Sequence, residues 1–151
     1  MRSKIIIILF LSAFIGVFTA CNRGVVYSEY RPVPLSGWDA DSALVFGVEI
    51  TDTLSSYDII LHVRHTQNYP YQNMWLFMDT PAGRDTIEFY LADQRGRWLG
   101  NGFGNIKEMP VLYGHSVSFP RSGEYRYVIM QGMREQRLRG VHDVGLTVEK
   151  Q

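Results

Sequence analysis

The sequence predicts an all-β fold: one antiparallel β-sandwich of about eight strands, with jelly-roll-like or Greek-key connections. Three observations carry this. Apolar residues alternate with period two in several short runs, which puts them on one face of a strand. Turn chemistry rich in Gly, Pro, Asn and Asp separates those runs at short intervals. No stretch of 11 or more residues sustains the 3.6-residue apolar period of a helix.

Taken in order, Val25–Tyr30 reads as a first strand, after which Pro32 and Pro34 break regularity. Ala43–Ile50 puts Leu44, Phe46, Val48 and Ile50 on one face. Tyr57–His65 does the same with Tyr57, Ile59, Leu61 and Val63, leaving Asp58, His62 and Arg64 on the other. Met74–Asp79 is apolar on both faces and suits a central strand. Asp85–Asp93 turns Ile87, Phe89 and Leu91 inward and Thr86, Glu88 and Tyr90 outward. Gly96, Gly100, Gly102 and Gly104 punctuate a loop around Trp98. Val111–Phe119 and Gly123–Gln131 are further strands, Met133–Gly140 is a charged excursion, and His142–Glu149 closes the fold with Val144, Leu146 and Val148 inward.

The N-terminus has a different character. Arg2 and Lys4 precede an apolar run from Ile5 to Ala20, and the small residues Thr19 and Ala20 lead into Cys21, the only cysteine. This is the layout of a bacterial lipoprotein signal, cut before Cys21 and acylated there. The alternatives are plain secretion and a retained membrane helix. For the latter, 16 residues fall short of the roughly 20 that cross a hydrocarbon core. Acylation also accounts for a single cysteine in an exported chain, which would otherwise be a reactive or intermolecularly paired thiol. The expected organisation is a signal peptide at 1–20, a lipidated lead-in at 21–35 and the sandwich at 36–151.

Removing the signal takes two of the 15 basic residues and none of the 15 acidic ones, which leaves a formal charge of −2. That argues against nucleic acid as a partner, which calls for a basic excess or stripe. Of the remaining basic residues only Lys107 and Lys150 are lysines. Arginine suits fixed bidentate contacts, so the bias leans towards a protein-binding surface; a compositional habit of the source genome explains it equally well.

Chemistry-bearing patterns are sparse. His62 and His65 lie three apart on a strand, hence on opposite faces, and His115 and His142 complete no ligand spacing, so no metal is expected. Asp39 and Asp41 lack the glycine and glutamate of a calcium loop and read as an Asx turn. The glycines at 96–104 lack a following Gly-Lys-Ser/Thr and a helix, so they cradle no phosphate. No Gly-x-Ser-x-Gly elbow occurs. A carboxylate pair at glycosidase spacing cannot be read from sequence. No enzyme activity and no cofactor are expected. Tyr69, Tyr71 and Tyr90 are the aromatics least explained by core packing, and they frame an alternative reading as a sugar-stacking module.

Four runs carry a resemblance: Tyr71–Phe77; Asp85–Glu88 with Leu91–Asp93; Gly96–Gly102; and Gln131–Arg134 leading into Gly140–Leu146. Their order and spacing, with the lipoprotein signal, resemble the gliding motility lipoprotein GldH family. The resemblance implies an envelope lipoprotein without known catalytic residues, associated with gliding and type IX secretion components. It transfers the lipidated Cys21 and a patterned set of unassigned role. From that set Asp93, Arg97, Trp98, Gln131, Arg134 and Asp143 are candidate interaction residues. A structural role, with the aspartates capping turns and the arginines pairing with them, is the competing explanation. Asn22 is not the Asp that, by resemblance to known lipoprotein sorting, retains proteins at the inner membrane, and no acid precedes Glu29. The expected location is the periplasm-facing side of the outer membrane.

Overall fold

The computed structural model describes residues 24–151; the signal and Cys21 lie outside them. Ten strands follow one another: β1 (Val25–Pro32), β2 (Trp38–Asp39), β3 (Leu44–Ile50), β4 (Ser56–Thr66), β5 (Asn73–Thr80), β6 (Gly83–Tyr90), β7 (Ile106–Ser118), β8 (Gly123–Gln131), β9 (Arg137–Leu138) and β10 (Val141–Lys150). A first sheet has the order β1-β10-β4-β7 and a second the order β3-β8-β5-β6, while β2 and β9 form a separate two-residue pair. Every pairing is antiparallel. With β2 and β9 set aside, the eight long strands run 1-8-3-6 in one sheet and 2-7-4-5 in the other, the strand order of a jelly roll.

The core lies between the sheets and follows from the alternation. Tyr57, Ile59, Leu61, Val63 and His65 of β4 point inward and are buried, as do Phe46, Val48 and Ile50 of β3. Met74, Leu76 and Met78 of β5 meet them from the second sheet, with Tyr127 and Ile129 of β8. Val144, Leu146 and Val148 of β10 complete the same cluster.

Three departures from the sequence pattern have physical causes. The strand expected at Val25–Tyr30 forms as β1, but within the first sheet rather than in a separate lead-in, paired with β10 from Val25 to Pro32. Strand β7 starts at Ile106 rather than Val111 and runs through Pro110, which an edge strand tolerates because it has one ladder to satisfy. The charged excursion hides β9, whose Leu138 is fully buried and pairs with the buried Trp38. A two-residue strand is too short to register as a period.

The registers define two poles. Gly24, the β3–β4 loop, the β5–β6 turn, the β7–β8 loop and Gln151 share one pole, where Lys150 donates its backbone N–H to the Gly24 carbonyl (2.5 Å). The β4–β5, β6–β7 and β8–β9 connections share the other. Leu146→Ala, in the middle of the central strand, is expected to cost about 2–5 kcal/mol in urea unfolding, whereas Leu112→Ala on the outer face of edge strand β7 should stay within about 0.5 kcal/mol.

Candidate functional site

The nominated residues divide between the far-pole loops and the outer face of the first sheet. In the β6–β7 connection the Asp93 carboxylate accepts the backbone N–H groups of Arg95 and Arg97, both at 2.9 Å, and pairs with Arg97 Nε at 2.8 Å. The Arg97 N–H bond is the chief reason that its pKa lies below the usual carboxylate range. Gly96 and Gly100 hold positive φ in this loop, as a turn of this tightness requires. Trp98 is half-buried, its ring 4.6 Å from His65 and 6.5 Å from Tyr69.

Gln131 is buried at the end of β8, where its amide donates to the Glu135 carbonyl (2.6 Å) and accepts from the Met133 N–H (2.8 Å). It therefore shapes the β8–β9 connection from inside and presents no surface. Asp143 is also buried. It receives two hydrogen bonds from the Arg64 guanidinium, at 2.6 and 2.5 Å, and one contact from His142 Nδ1 at 2.8 Å. Arg64 in turn lies 4.3 Å over the Tyr30 ring. The Tyr30 hydroxyl and His62 Nδ1 both reach Glu108 Oε1, at 2.9 and 2.8 Å. This network covers the outer face of β10, and Gly145 admits it: a Cβ there would sit 2.6 Å from the Tyr30 ring. His62 and His65 thus lie on opposite faces of β4. Asp39 and Asp41 form the Asx turn, with Asp41 N–H donating to Asp39 Oδ1 at 3.0 Å.

Of the alternative aromatic set, Tyr69 is buried against His65 and Tyr71 and donates its hydroxyl to the Asn73 carbonyl at 2.8 Å, so its ring offers no open stacking surface. Tyr71 is half-buried and donates to Glu135. Tyr90 alone is well exposed, at 58%, and lines a depression with Gln72, Asp93 and Gln94.

Arg134 is exposed and belongs to no ion pair among the described residues. It borders a depression of about 510 Å³ with Tyr71, Trp75, Phe77, Thr86 and Met133. Trp75 and Phe77 project from the outer face of the second sheet, 37% and 36% exposed. Phe77 pairs with Met130, and Val128 in the next outward row pairs with the exposed Val45. The result is an apolar stripe across three strands, the kind of exposed surface that marks a contact site. Sequence reasoning missed Trp75 and Phe77, although the signal was present. An apolar-on-both-faces β5 implies a second buried face only if a third layer covers it, and a two-layer sandwich has none.

The fold and this surface define a class: a jelly-roll domain with an apolar stripe on one sheet and, among the described residues, no group of three or more metal-ligating side chains. Comparison with known proteins then supplies the family. A profile described as GldH lipoprotein matches residues 25–148. The chain is 34% identical to the gliding motility lipoprotein GldH of Flavobacterium johnsoniae, over 99% of each protein. It is likewise 34% identical to a GldH homolog of Christiangramia forsetii, over 99% of this chain and 98% of the relative. The chain belongs to the GldH lipoprotein family. Among solved structures, dimeric latent PorU from Porphyromonas gingivalis aligns with 89% of this chain and 14% of its own, at 9% identity and a TM-score of 0.40.

His65 offers a test of the packed pole. Its Nδ1 lies 3.1 Å from the Thr66 carbonyl, and its buried Nε2 has no partner among the described residues. Burial, the dominant cause, pushes its pKa below the ordinary imidazole value. The unfolded chain therefore binds the extra proton first as pH falls through about 6.5, and stability drops on that acid side. His65→Phe is expected to flatten the fall in melting temperature between about pH 7.5 and 5.5 relative to wild type. Parallel pH profiles of the two proteins would sink this assignment.

Proposed function

We propose that this protein is a non-enzymatic lipoprotein anchored through Cys21 to the periplasm-facing side of the outer membrane. It acts by contact with other envelope proteins, in the gliding role for which its relatives are named. The observation that carries this reading is the Trp75–Phe77 stripe beside Arg134, which joins no ion pair among the described residues: apolar area for burial and a guanidinium to orient a partner. Protein interfaces favour aromatic and arginine residues in this combination.

The tether fits that use. Two residues, Asn22 and Arg23, separate Cys21 from Gly24, and the three residue steps span at most about 10 Å. The pole holding Gly24 is thereby kept at the membrane, and the far-pole loops with Arg97 and Arg134 are directed away from it. Replacement of Cys21 by Ser should release the protein from the membrane fraction. Retention of that variant in membranes would overturn the anchor.

For the contact surface, the double variant Trp75→Ala/Phe77→Ala, and separately Arg134→Ala, should lose envelope proteins recovered by cross-linked pull-down from the native host. Melting temperature should hold, because these side chains lie outside the core. Undiminished recovery from folded variants would remove the stripe from consideration. Trp98→Ala serves less well as a probe, since its ring packs on His65 and its loss disturbs the fold.

A second reading, carbohydrate capture, keeps one observation in its favour: exposed Tyr90 beside the amides of Gln72 and Gln94 and the Asp93 carboxylate. A glycan array decides it. Binding abolished by Tyr90→Ala supports the module, and no bound glycan rejects it.

A further inference from the structure

The two large sheets have four edge strands, and three of them carry devices that hinder pairing with another chain. Strand β1 has a register shift between Val25 and Tyr27, and its Arg31 donates Nε to the Val45 carbonyl of β3 at 3.1 Å, tying those two edges together. On β7, Glu108 exchanges backbone bonds with Asn101 at 2.7 and 3.1 Å, Pro110 has no N–H, and Ser116 sits in a bulge with φ 52°. Prolines, bulges and covering segments keep an edge from recruiting a further strand.

The β6 edge has no such cover among the described residues. The Trp75 carbonyl accepts the Gly132 N–H from the β8 side at 2.7 Å, so alternation turns Leu76 and Met78 towards β6, where they pair with Ile87 and Asp85. The backbone groups of Arg84, Thr86 and Glu88 therefore face out from the sheet. The Thr86 N–H is accordingly bonded to the Asp85 carboxylate, at 2.8 Å, and not to a strand.

Beside this edge a cavity of about 490 Å³ opens between the two sheets. Asp85 lines it together with Tyr113 and Val117 of β7, Tyr125 of β8 and Phe119. Burial, and next the Asp85 carboxylate, push the Tyr113 pKa above the ordinary phenol value, as a hydroxyl close to that carboxylate should behave. Asp85 belongs to no ion pair among the described residues. A carboxylate among aromatic and apolar walls suits a planar cation on an apolar stem, which is an arginine side chain.

We propose that the β6 edge and this cavity form one docking groove for an extended segment of a partner protein, added to the second sheet as a further strand with an arginine opposite Asp85. Strand addition of this kind takes affinity from main-chain bonds and specificity from pockets for alternate side chains. The outward backbone groups of Arg84, Thr86 and Glu88 supply the bonds. The residue opposite Asp85 then falls at a non-hydrogen-bonded position, where facing Cα atoms lie about 4.5 Å apart and side chains are closest. Its side chain points between the sheets, into the cavity. The unpaired carboxylate also bars wholly apolar strands, so the edge is selective rather than merely adhesive. A second copy of β6 fits poorly: its inward residues Asp85, Ile87 and Phe89 include no cation and would bring another carboxylate to the same gap. The inference rests neither on the Cys21 anchor nor on the Trp75–Phe77 stripe, since the groove runs along the side of the sandwich between the poles.

The test uses the full lipoprotein in detergent micelles and the fluorescein-labelled heptapeptide Thr-Val-Thr-Arg-Thr-Val-Thr, with companions carrying Leu or Tyr in place of Val. Fluorescence anisotropy should show saturable binding of at least one of them below about 1 mM. Replacing the peptide arginine by alanine, or Asp85→Asn in the protein, should weaken that binding at least about tenfold. N-methylation of the two threonines beside the arginine removes the donors that meet the edge while leaving the protein untouched, and it should abolish binding. Thr86→Pro should do the same at an unchanged melting temperature, because an edge strand tolerates proline where its N–H faces outward. No saturable binding by any of the peptides overturns the groove. Equal binding of the alanine peptide overturns the assignment of the cavity to arginine, and binding indifferent to N-methylation overturns strand addition. Sedimentation of the lipoprotein as a dimer that Thr86→Pro dissociates shows a second copy on this edge and overturns the choice of partner.

Discussion

The structure depends on β10 being buried on both faces. Its inward Val144, Leu146 and Val148 join the inter-sheet core, and its outward Asp143, Gly145 and Thr147 are covered as well. The outer cover is polar: Arg64 satisfies Asp143, and Tyr30 lies across Gly145 towards Glu108. Buried polar groups are tolerated only when their bonds are met, and here the partners come from β1, β4 and β7 together. The strand latest in the sequence thus ties the earliest strand to the middle of the chain. With Cys21 as the only cysteine, no internal disulfide shares that task.

This closure separates the two ends of the molecule. Antiparallel strands carry the chain from pole to pole, so the loops sort into two sets without further design. One set gathers around the chain's exit towards Cys21 and frames the inter-sheet cavity. The other is fastened by Gln131, by Tyr69 and by the aromatic packing of His65 and Trp98, and it leaves Arg134 and Arg97 at the surface. In the proposed function these ends serve different neighbours, lipid on one side and protein on the other.

The candidate site was partly legible. Asp93 and Arg97 could be placed beside a turn because Gly96 and the charge spacing mark one. Whether the turn consumes the Asp93 carboxylate depends on backbone N–H directions that only the folded loop reveals. Gln131 and Asp143 carry polar side chains at a strand end and a strand start, where exposure is the ordinary expectation. The β8–β9 connection and Arg64 bury them instead. Met74–Asp79 read as apolar on both faces, but periodicity reports that a face is apolar, not what lies across from it, so it left Trp75 and Phe77 unplaced.

The sequence by itself determined the fold class, the inward faces of the strands at Ala43–Ile50, Tyr57–His65, Asp85–Asp93 and His142–Glu149, and the family, because period-two alternation and family-patterned runs are local properties of the chain. It also located the apolar run that ends at Cys21. Tertiary structure decided the jelly-roll order, the pairing of Trp38 with Leu138, the burial of Gln131 and Asp143, and the exposure of the Trp75–Phe77 stripe. Those outcomes depend on which strands become neighbours and how many layers stack. These are relations between residues far apart in the chain, and no local pattern encodes them.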